Sequence, residues 1–353
     1  MTLPPMNRLT DMRQRAQQLA APQFDDAAEL IRWMGMVQAQ EYGSAKWAVA
    51  LRLRTPAAAP VEEALRDGRI LRMHIMRPTW HFIAAGDVRW MLRLSARRIR
   101  AANASYANGT GCGLDEADYL RCNALLERML EGGNHLTRGQ IADELERRGM
   151  AAEAPRLNRL MMRAETDGVV CSGADRAGKP TYALLAERVP QAVDLPDEEA
   201  LALLARRYFR SHAPATFADF VWWSGLSVGE ARCGVAALGG ELLRETFGGQ
   251  EYLLHACWAA CEPAPVQTHL LPAFDEYLIA YKDRSEVLAP EHRARAFNTF
   301  GFFRPVVLHD GRIVGCWSRK GAGVDVEPFA RERQPTVRLR RSAEERWRQF
   351  REG

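Results

Sequence analysis

The stretch that decides the fold is LTRGQIADELERRGM (136–150), PRLNRLMMRAETDG (155–168), VVCSG (169–173) and TYALL (181–185). Its first segment places Thr137 and Gln140 in the relation of a capping box and ends at Gly149, which predicts a short amphipathic helix. The second segment repeats apolar residues at spacings of three and four until Gly168, which predicts another helix. The last two segments predict short strands that are joined by a basic loop. Helix, turn, helix and β-hairpin is the order of elements in a winged helix.

The same order occurs twice more along the chain. Residues 215–255 contain two capping-box starts, followed by ELLRETFGGQEYLL, which predicts two strands around a double glycine. Residues 26–83 contain helix starts at Asp26 and Ser44, then a helix that ends at Gly68, and then a hairpin. Three copies in the same order indicate tandem winged-helix modules.

The segments outside these repeats differ in character. Residues 86–113, GDVRWMLRLSARRIRAANASYANGTGCG, predict a basic helix followed by a linker, NASYANGTGCG. After residue 262, PVVLHDGRIVGCWSRKGAGVDVEPF alternates apolar and polar residues, which predicts a small β-rich domain closed by the charged helix SAEERWRQFRE. We therefore predict a mainly α fold with small β-hairpins, of the α+β class. Its three tandem winged-helix modules are placed at 1–105, 106–192 and 193–261, and a C-terminal β-rich domain at 262–353.

The amino-acid composition limits the cellular compartment and the binding partners that we expect for this chain. The chain is 47% hydrophobic and 26% charged, and it has no secretory signal and no run of about 18 apolar residues, so we expect a cytoplasmic protein. The net charge is only +4, but 44 of the 48 basic residues are arginines, whose guanidinium groups suit phosphate. That bias is compatible with nucleic acid without establishing it. The cysteines have no paired C-x-x-C spacing, and His255 with Cys257 and Cys261 lacks a second ligand pair, so we expect no metal site.

Three strings carry a resemblance to a known family: ELIRWMGMVQAQEYGSAKWAVALRLR (29–54), LRDGRILRMHIMRPTWHFI (65–83) and LLPAFDEYLIAYKDRS (270–285). Together they resemble the bacterial winged-helix DNA glycosylases typified by AlkZ and YcaQ, and the likeness extends over most of the chain. The resemblance implies three winged helices around a channel for duplex DNA and hydrolysis of the N-glycosidic bond of alkylated purines, with crosslink unhooking in some members. The family's catalytic signature is glutamine, an aliphatic residue and glutamine, and Gln38-Ala39-Gln40 matches it in the AlkZ branch.

Gln38 and Gln40 are therefore the candidate catalytic residues. If the chain is extended between Gly35 and Ser44, residues two apart project to the same side, with Cα atoms about 6.5 Å apart. Two carboxamides then position water and offer oxygen dipoles to a sugar oxocarbenium ion. Such weak catalysis suffices when the leaving purine is already cationic. From spacing alone, the more common role for both glutamines is to cap the preceding helix or satisfy turn groups. The resemblance reverses that ranking.

Further candidates lie in the first hairpin and on basic segments. His81 is a secondary site candidate, and Trp80 is a candidate to stack on a base or sugar, although strand residues of both types more often serve packing. Glu41 is the carboxylate nearest the glutamines, but alternation turns it away from their face. The candidate DNA-binding residues are Arg93, Arg97 and Arg98 on the basic helix and Arg176, Lys179, Arg319 and Lys320 in hairpin turns. A solvated loop is the alternative for the turn residues.

The sequence thus predicts a monofunctional DNA glycosylase that acts on N7- or N3-alkylated purines in double-stranded DNA, with crosslink unhooking as a further capacity. We expect a monomer that needs no metal or cofactor, has no membrane partner and associates with the nucleoid when bound to DNA. Two alternatives stay open. A non-catalytic winged-helix DNA-binding protein, such as a transcription regulator, would bind a specific sequence and leave purine bonds intact. A repair scaffold would bind damaged duplex without releasing a base.

Overall fold

The structure is a computed structural model that describes residues 5–321, 323–330 and 335–352. Residues 1–4 of the first predicted module and residues 322, 331–334 and 353 of the predicted C-terminal domain lie outside the described residues. The α-helices are α1 (Pro5–Ala16), α2 (Ala27–Met34), α3 (Tyr42–Ala50), α4 (Ala59–Arg66), α5 (Val88–Gly109), α6 (Glu116–Leu130), α7 (Arg138–Arg147), α8 (Ala154–Thr166), α9 (Leu185–Arg188), α10 (Asp197–Ser211), α11 (Phe217–Ser224), α12 (Val228–Ala236), α13 (Glu276–Ile279), α14 (Arg293–Ala296) and α15 (Val337–Glu352). The strands are β1 (Val37–Gln38), β2 (Ile70–His74), β3 (Trp80–Ala84), β4 (Leu136–Thr137), β5 (Val170–Ser172), β6 (Thr181–Leu184), β7 (Leu242–Phe247), β8 (Gln250–His255), β9 (Thr268–Leu271), β10 (Val306–His309), β11 (Arg312–Lys320) and β12 (Gly323–Pro328).

The chain forms two compact units. One unit is assembled from two stretches of chain, residues up to 62 and residues from 201 onward, whereas the other is the continuous segment 63–200. Helices α4 and α10 contain the points at which the chain passes from one unit to the other. The bounds of the four predicted domains stay predictions, because this division is coarser than a winged-helix module.

The continuous unit contains a hairpin followed by helices and a small sheet. Strands β2 and β3 pair antiparallel, and β4, β6 and β5 form a three-stranded antiparallel sheet in that order. The capping box between Thr137 and Gln140 forms at the start of α7, where the sequence predicts it. Ile141 of α7 and Leu160 of α8 are fully buried in a core that also includes residues of α6 and β5. Helix, helix and hairpin therefore pack around one apolar centre.

Helix α5 corrects the predicted linker. The sequence pattern ends the basic helix before NASYANGTGCG, whereas the helix continues through Gly109. Asn103 explains the continuation, because its buried side-chain amide donates to the carbonyl oxygen of Arg159 on α8 at 3.0 Å. Ala107, one turn later, is buried as well. Packing against α8 therefore overrides the low helix propensity of asparagine, serine and glycine in this segment.

The discontinuous unit contains the predicted third helix pair and the β-rich segment. Helices α11 and α12 each begin with the predicted capping box, and the β7–β8 hairpin follows them. Strands β9 to β12 form an antiparallel sheet in the order β12-β11-β10-β9. On α15, the ring of Trp347 packs edge-on against Trp317 of β11 and Trp47 of α3, with centroid distances of 5.2 Å. The predicted fold class, mainly helical with small antiparallel sheets, is confirmed.

Candidate active site

The glutamine motif lies on a short extended segment between α2 and α3. Gly35 ends α2 with φ of 83°, a conformation that residues with side chains rarely adopt. A Cβ atom at Gly35 would also lie 3.2 Å from the ring of Trp223. Val37 and Gln38 then form β1, and the chain bends at Gln40 before the next helix. The motif is therefore not helical, but only Gln38 of the two glutamines lies in the strand, so the expectation that both side chains project to the same side stays a prediction.

The helices on either side of the motif begin at different signals. Helix α2 begins as predicted, because the side chain of Asp26 accepts the backbone N–H of Glu29 at 2.9 Å. Helix α3 begins at Tyr42, so the predicted start at Ser44 is wrong. Glu41 occupies the N-cap position with extended backbone angles and makes no side-chain cap bond, which places Ser44 inside the first turn.

The two glutamines differ in exposure. Gln38 is only 5% exposed, and its neighbours Val37 and Ala39 are buried. Gln40 is exposed. The amide oxygen of Gln38 is buried, and no hydrogen-bond donor among the described residues reaches it. The motif thus presents one carboxamide oxygen inside the protein and a second carboxamide at the surface.

A buried carboxylate holds the backbone of the motif. Glu276 opens α13 and is fully buried, and its Oε1 accepts the backbone N–H of Gln38 at 2.7 Å. Its Oε2 accepts the indole N–H of Trp223 at 3.2 Å and lies 3.5 Å from Nε2 of His212. Burial lowers the pKa of His212, and the neighbouring Glu276 only partly offsets that effect. The imidazole is therefore held towards its neutral form beside the carboxylate.

Asp275 is the N-cap of α13 and ties the start of that helix to the turn that follows α3. Its carboxylate makes a bidentate ion pair with Arg52 at 2.8 and 2.9 Å, and both side chains are 1% exposed. Arg52 also donates to the carbonyl oxygen of Ala48 and to Oε1 of Gln17. The start of α13 is therefore joined both to the motif and to the turn that follows α3.

His81 and Trp80 have partners of their own in strand β3. His81 is fully buried, with Nδ1 at 2.9 Å from the carbonyl oxygen of Thr79 and Nε2 at 3.2 Å from a guanidinium nitrogen of Arg77. Nδ1–H thus donates to the carbonyl oxygen and Nε2 accepts from the arginine, which leaves neither nitrogen for a substrate. Trp80 packs on His74 with ring centroids 4.4 Å apart. These are the contacts of packing residues, and a site role for either stays a prediction.

The three arginines predicted to bind DNA from helix α5 have different surroundings. Arg93 pairs with Asp194 and Asp197, and the hydrogen bond to Asp197 raises the pKa of Arg93. Its charge is already compensated, which weakens the case for a phosphate contact. Arg97 is exposed and forms no ion pair with any residue that the structure describes, and Arg98 is half-buried. Arg97 is therefore the best placed of the three.

Basic side chains also stand at two hairpin turns. Arg176 and Lys179 are exposed and face each other across a two-residue turn, where each backbone N–H donates to the other's carbonyl oxygen at 3.0 Å. Both central residues have positive φ, as a type I′ turn requires. Arg319 and Lys320 are exposed at the end of β11. Each pair therefore lies at a solvent-facing end of a hairpin.

The cysteine cluster near β8 is arranged by backbone contacts. Nδ1 of His255 accepts the backbone N–H of Cys257 at 3.2 Å. Within the described residues, no group of three or more histidine, cysteine, aspartate or glutamate side chains is arranged to hold a metal ion.

Among the residues that the structure describes, no helix combines the length and the apolar character needed to cross a membrane.

Glu276 and His212 lie beside the candidate site, and the sequence pattern did not single them out. The signal for Glu276 was a pair of acidic residues inside the otherwise apolar run LLPAFDEYLIAY, because a charge in such a run needs a buried partner. That partner is the backbone of Gln38, 238 residues away. No local pattern encodes a contact over that separation.

The structure combines helix pairs that lead into small hairpins, exposed basic residues at two hairpin ends and a non-helical glutamine motif. These are the features that the resemblance implies for the class of DNA glycosylases. The chain belongs to the family described as "DNA glycosylase AlkZ-like", whose sequence profile matches residues 31–350. The resemblance to that family is thereby confirmed. Membership in a family of enzymes also favours catalysis over the alternative of a non-catalytic DNA-binding regulator.

Two comparisons with relatives agree with the family assignment. The chain is 28% identical over 338 residues to the interstrand DNA cross-link repair glycosylase of Streptomyces sahachiroi, covering 90% of this chain and 89% of that protein. Its structure is similar to that of Streptomyces sahachiroi DNA glycosylase AlkZ, with a TM-score of 0.81 and 23% identity, covering 98% of this chain and 96% of the other. At 23% sequence identity, this structural similarity is evidence for the fold alone.

Proposed function

We propose that this protein hydrolyses the N-glycosidic bond of purines alkylated at N7 or N3 in double-stranded DNA, with Gln38 and Gln40 as its catalytic residues. The observation that carries the proposal is the amide oxygen of Gln38, which is buried on an extended segment with no donor from the described residues. An acceptor in that state gains a hydrogen bond when it receives a donor such as a water O–H. The relative named as a cross-link repair glycosylase supports unhooking of interstrand crosslinks as a second activity.

Neutral carboxamides suit this reaction because of the leaving group. Alkylation at N7 or N3 gives the purine a positive charge, and cleavage of the C1′–N9 bond returns the electron pair to the base, which departs neutral. Water then adds to C1′ and releases a proton. No general acid is required, so the task of the amide oxygens is to hold water and to stabilise the positive charge that develops on the sugar.

The exposed basic tips supply the expected DNA contacts. Arg176 with Lys179 and Arg319 with Lys320 point into solvent from hairpins, where they can neutralise phosphates without reading sequence. Sequence-independent binding fits an enzyme that must search for damage anywhere in a genome. We further propose that the protein acts as a monomer in the cytoplasm, on the nucleoid, and that the chemistry needs no metal or cofactor.

The test is base release from duplex DNA that carries one N7-methylguanine. Gln38→Met and Gln40→Ala should each lower the single-turnover rate by about 100-fold, in the range found for removing one group that stabilises transition-state charge. Gln14→Met is the matched control for the first variant, because Gln14 is also buried and its amide oxygen also lacks a donor among the described residues. Gln250→Ala, at an exposed hairpin glutamine, controls for the second.

Two results would contradict the proposal. A doubly substituted Gln38→Met, Gln40→Ala protein that releases methylguanine at the wild-type rate removes the glutamines from the mechanism. A wild-type protein that binds damaged duplex tightly and releases no base supports the non-catalytic alternatives. Running a crosslinked duplex beside the monoadduct shows whether unhooking accompanies base release.

A further inference from the structure

Glu276 makes contact with the motif through the backbone and not through a glutamine side chain. Its Oε1 accepts the N–H of Gln38 at 2.7 Å, so the bond fixes the plane of the peptide between Val37 and Gln38. In a strand, the orientation of the peptide plane sets the direction in which the side chain leaves the backbone. A bond at this amide therefore controls where the carboxamide of Gln38 points.

The carboxylate is itself held from several sides. Oε2 accepts the indole N–H of Trp223 at 3.2 Å, and the same indole lies close to Gly35, where an added Cβ would be 3.2 Å from the ring. Immediately before Asp275, Phe274 has φ of 58°, an unusual conformation for a residue with a side chain. The ring of Phe274 packs on Phe302 with centroids 5.4 Å apart, which stabilises that turn. Glu276 thus has little freedom to move away from Gln38.

Burying the carboxylate of Glu276 costs free energy of folding, and packing alone does not require a charged side chain at this position. Removing the charge from water is unfavourable, and an apolar side chain of the same size often serves stability equally well or better. The carboxylate does offer one thing that an apolar side chain lacks, which is a charged acceptor for a backbone N–H. Such charge-assisted hydrogen bonds are shorter and stronger than neutral ones.

We propose that Glu276 is a positioning residue that fixes the extended Gln38 segment in its reactive geometry by binding the Gln38 backbone amide. The inference rests on the proposed function only for its kinetic consequence, because the hydrogen bond itself can be tested in the absence of substrate. Glu276 acts through Gln38 and does not touch the DNA in this scheme. Its loss should therefore slow base release while leaving DNA affinity unchanged.

The first measurement is hydrogen exchange at the Gln38 amide in the free wild-type protein. The amide should be strongly protected, whereas the amide at the exposed Glu41 should exchange rapidly. Glu276→Met keeps the side-chain length without an acceptor and should lose the protection. Glu276→Gln retains an amide oxygen that can accept the same N–H and should keep most of it.

The second measurement is single-turnover release of N7-methylguanine, with duplex affinity determined separately. We expect Glu276→Met to lower the rate about 100-fold, the cost of displacing a reacting group by about 1 Å. Its dissociation constant should stay within about twofold of wild type, since phosphate contacts set affinity. Glu276→Gln should lie within about tenfold of the wild-type rate. Asp219→Asn is the matched control for Glu276→Gln, because each variant replaces a buried carboxylate by its amide. Asp219 accepts the backbone N–H groups of Lys282 and Thr216.

Rapid exchange at the Gln38 amide of the wild-type protein would overturn the proposal, whether or not any variant folds. Folded Glu276→Met with the wild-type rate would overturn it as well. The two hypotheses fail separately. If wild type releases no base, the catalytic function is refuted, while a Gln38 amide that is protected in wild type and unprotected in Glu276→Met still upholds the positioning role.

Discussion

Replacing Arg52 by methionine tests the buried ion pair that ties the turn after helix α3 to the start of α13, where Glu276 lies. The guanidinium makes two hydrogen bonds to Asp275, at 2.8 and 2.9 Å, with both side chains 1% exposed. Methionine fills a similar length with flexible apolar atoms, so the main change is the loss of the charge. Asp275 is then left as a buried carboxylate without its counter-ion, which costs about 3–5 kcal/mol in unfolding free energy.

Arg54→Met is the matched control for that substitution. Arg54 lies two positions after Arg52 and pairs with Asp25, but the side chains of Arg54 and Asp25 are 57% and 70% exposed. Solvent screens such a pair, so its loss should cost no more than about 1 kcal/mol. Urea unfolding followed by circular dichroism measures both variants, with separate fits if the two compact units give separate transitions. The reasoning is refuted if Arg52→Met is less than about 1 kcal/mol more destabilising than Arg54→Met.

A double variant separates charge from packing. Arg52→Met combined with Asp275→Leu removes both charges, so no unpaired ion remains in the interior. Asp275 also accepts the backbone N–H of Tyr277 at 2.9 Å, and loss of that cap costs about 1 kcal/mol. The double variant should therefore be more stable than Arg52→Met alone and lie about 1–2 kcal/mol below wild type. A double variant that is less stable than the single one would show that packing, and not the stranded charge, dominates.

Two further predictions concern binding and pH. Alanine at both Arg176 and Lys179 should reduce the slope of log affinity against log salt by about 0.9 for each phosphate that is no longer neutralised. The reduction should be equal on duplexes of unrelated sequence. An unchanged slope, measured by fluorescence anisotropy, would contradict this prediction. Burial holds the pKa of His269 well below its ordinary value, so the unfolded chain gains a proton that the folded chain does not as pH falls below about 6.5. The free energy of unfolding should therefore decrease as the pH falls, with His269 contributing at most about 1.4 kcal/mol per pH unit. His269→Gln should lessen the decrease. Equal urea midpoints for the wild-type protein at pH 7.5 and pH 5.5 would contradict the prediction.

The elements that sequence predicts well are those set by neighbouring residues. The capping boxes of α7, α11 and α12 all form, because each consists of two side chains that bond backbone groups three residues apart. The stop at Gly35 is likewise a property of a few consecutive residues. Repeated three times, such local signals were enough to predict the fold class.

The failures occur where distant contacts override local preference. Helix α5 continues past the predicted linker because Asn103 bonds to a carbonyl oxygen on another helix. Glu276 lies in a segment that the sequence marks as unusual, yet its partner is identified only by the folded chain. The glutamine pair itself was found through family likeness, since spacing alone favoured a bland role.

The discontinuous unit has a consequence for the order of events on the ribosome. The Gln38 amide and the Glu276 carboxylate that binds it are 238 residues apart. At a synthesis rate of about 5–20 residues per second, the amide is made about 12 to 48 s before its acceptor. Throughout that interval the nascent chain contains both glutamines and lacks the carboxylate that accepts the Gln38 amide. Completion of the candidate active site is therefore a late step of biosynthesis, timed by the translation of residue 276.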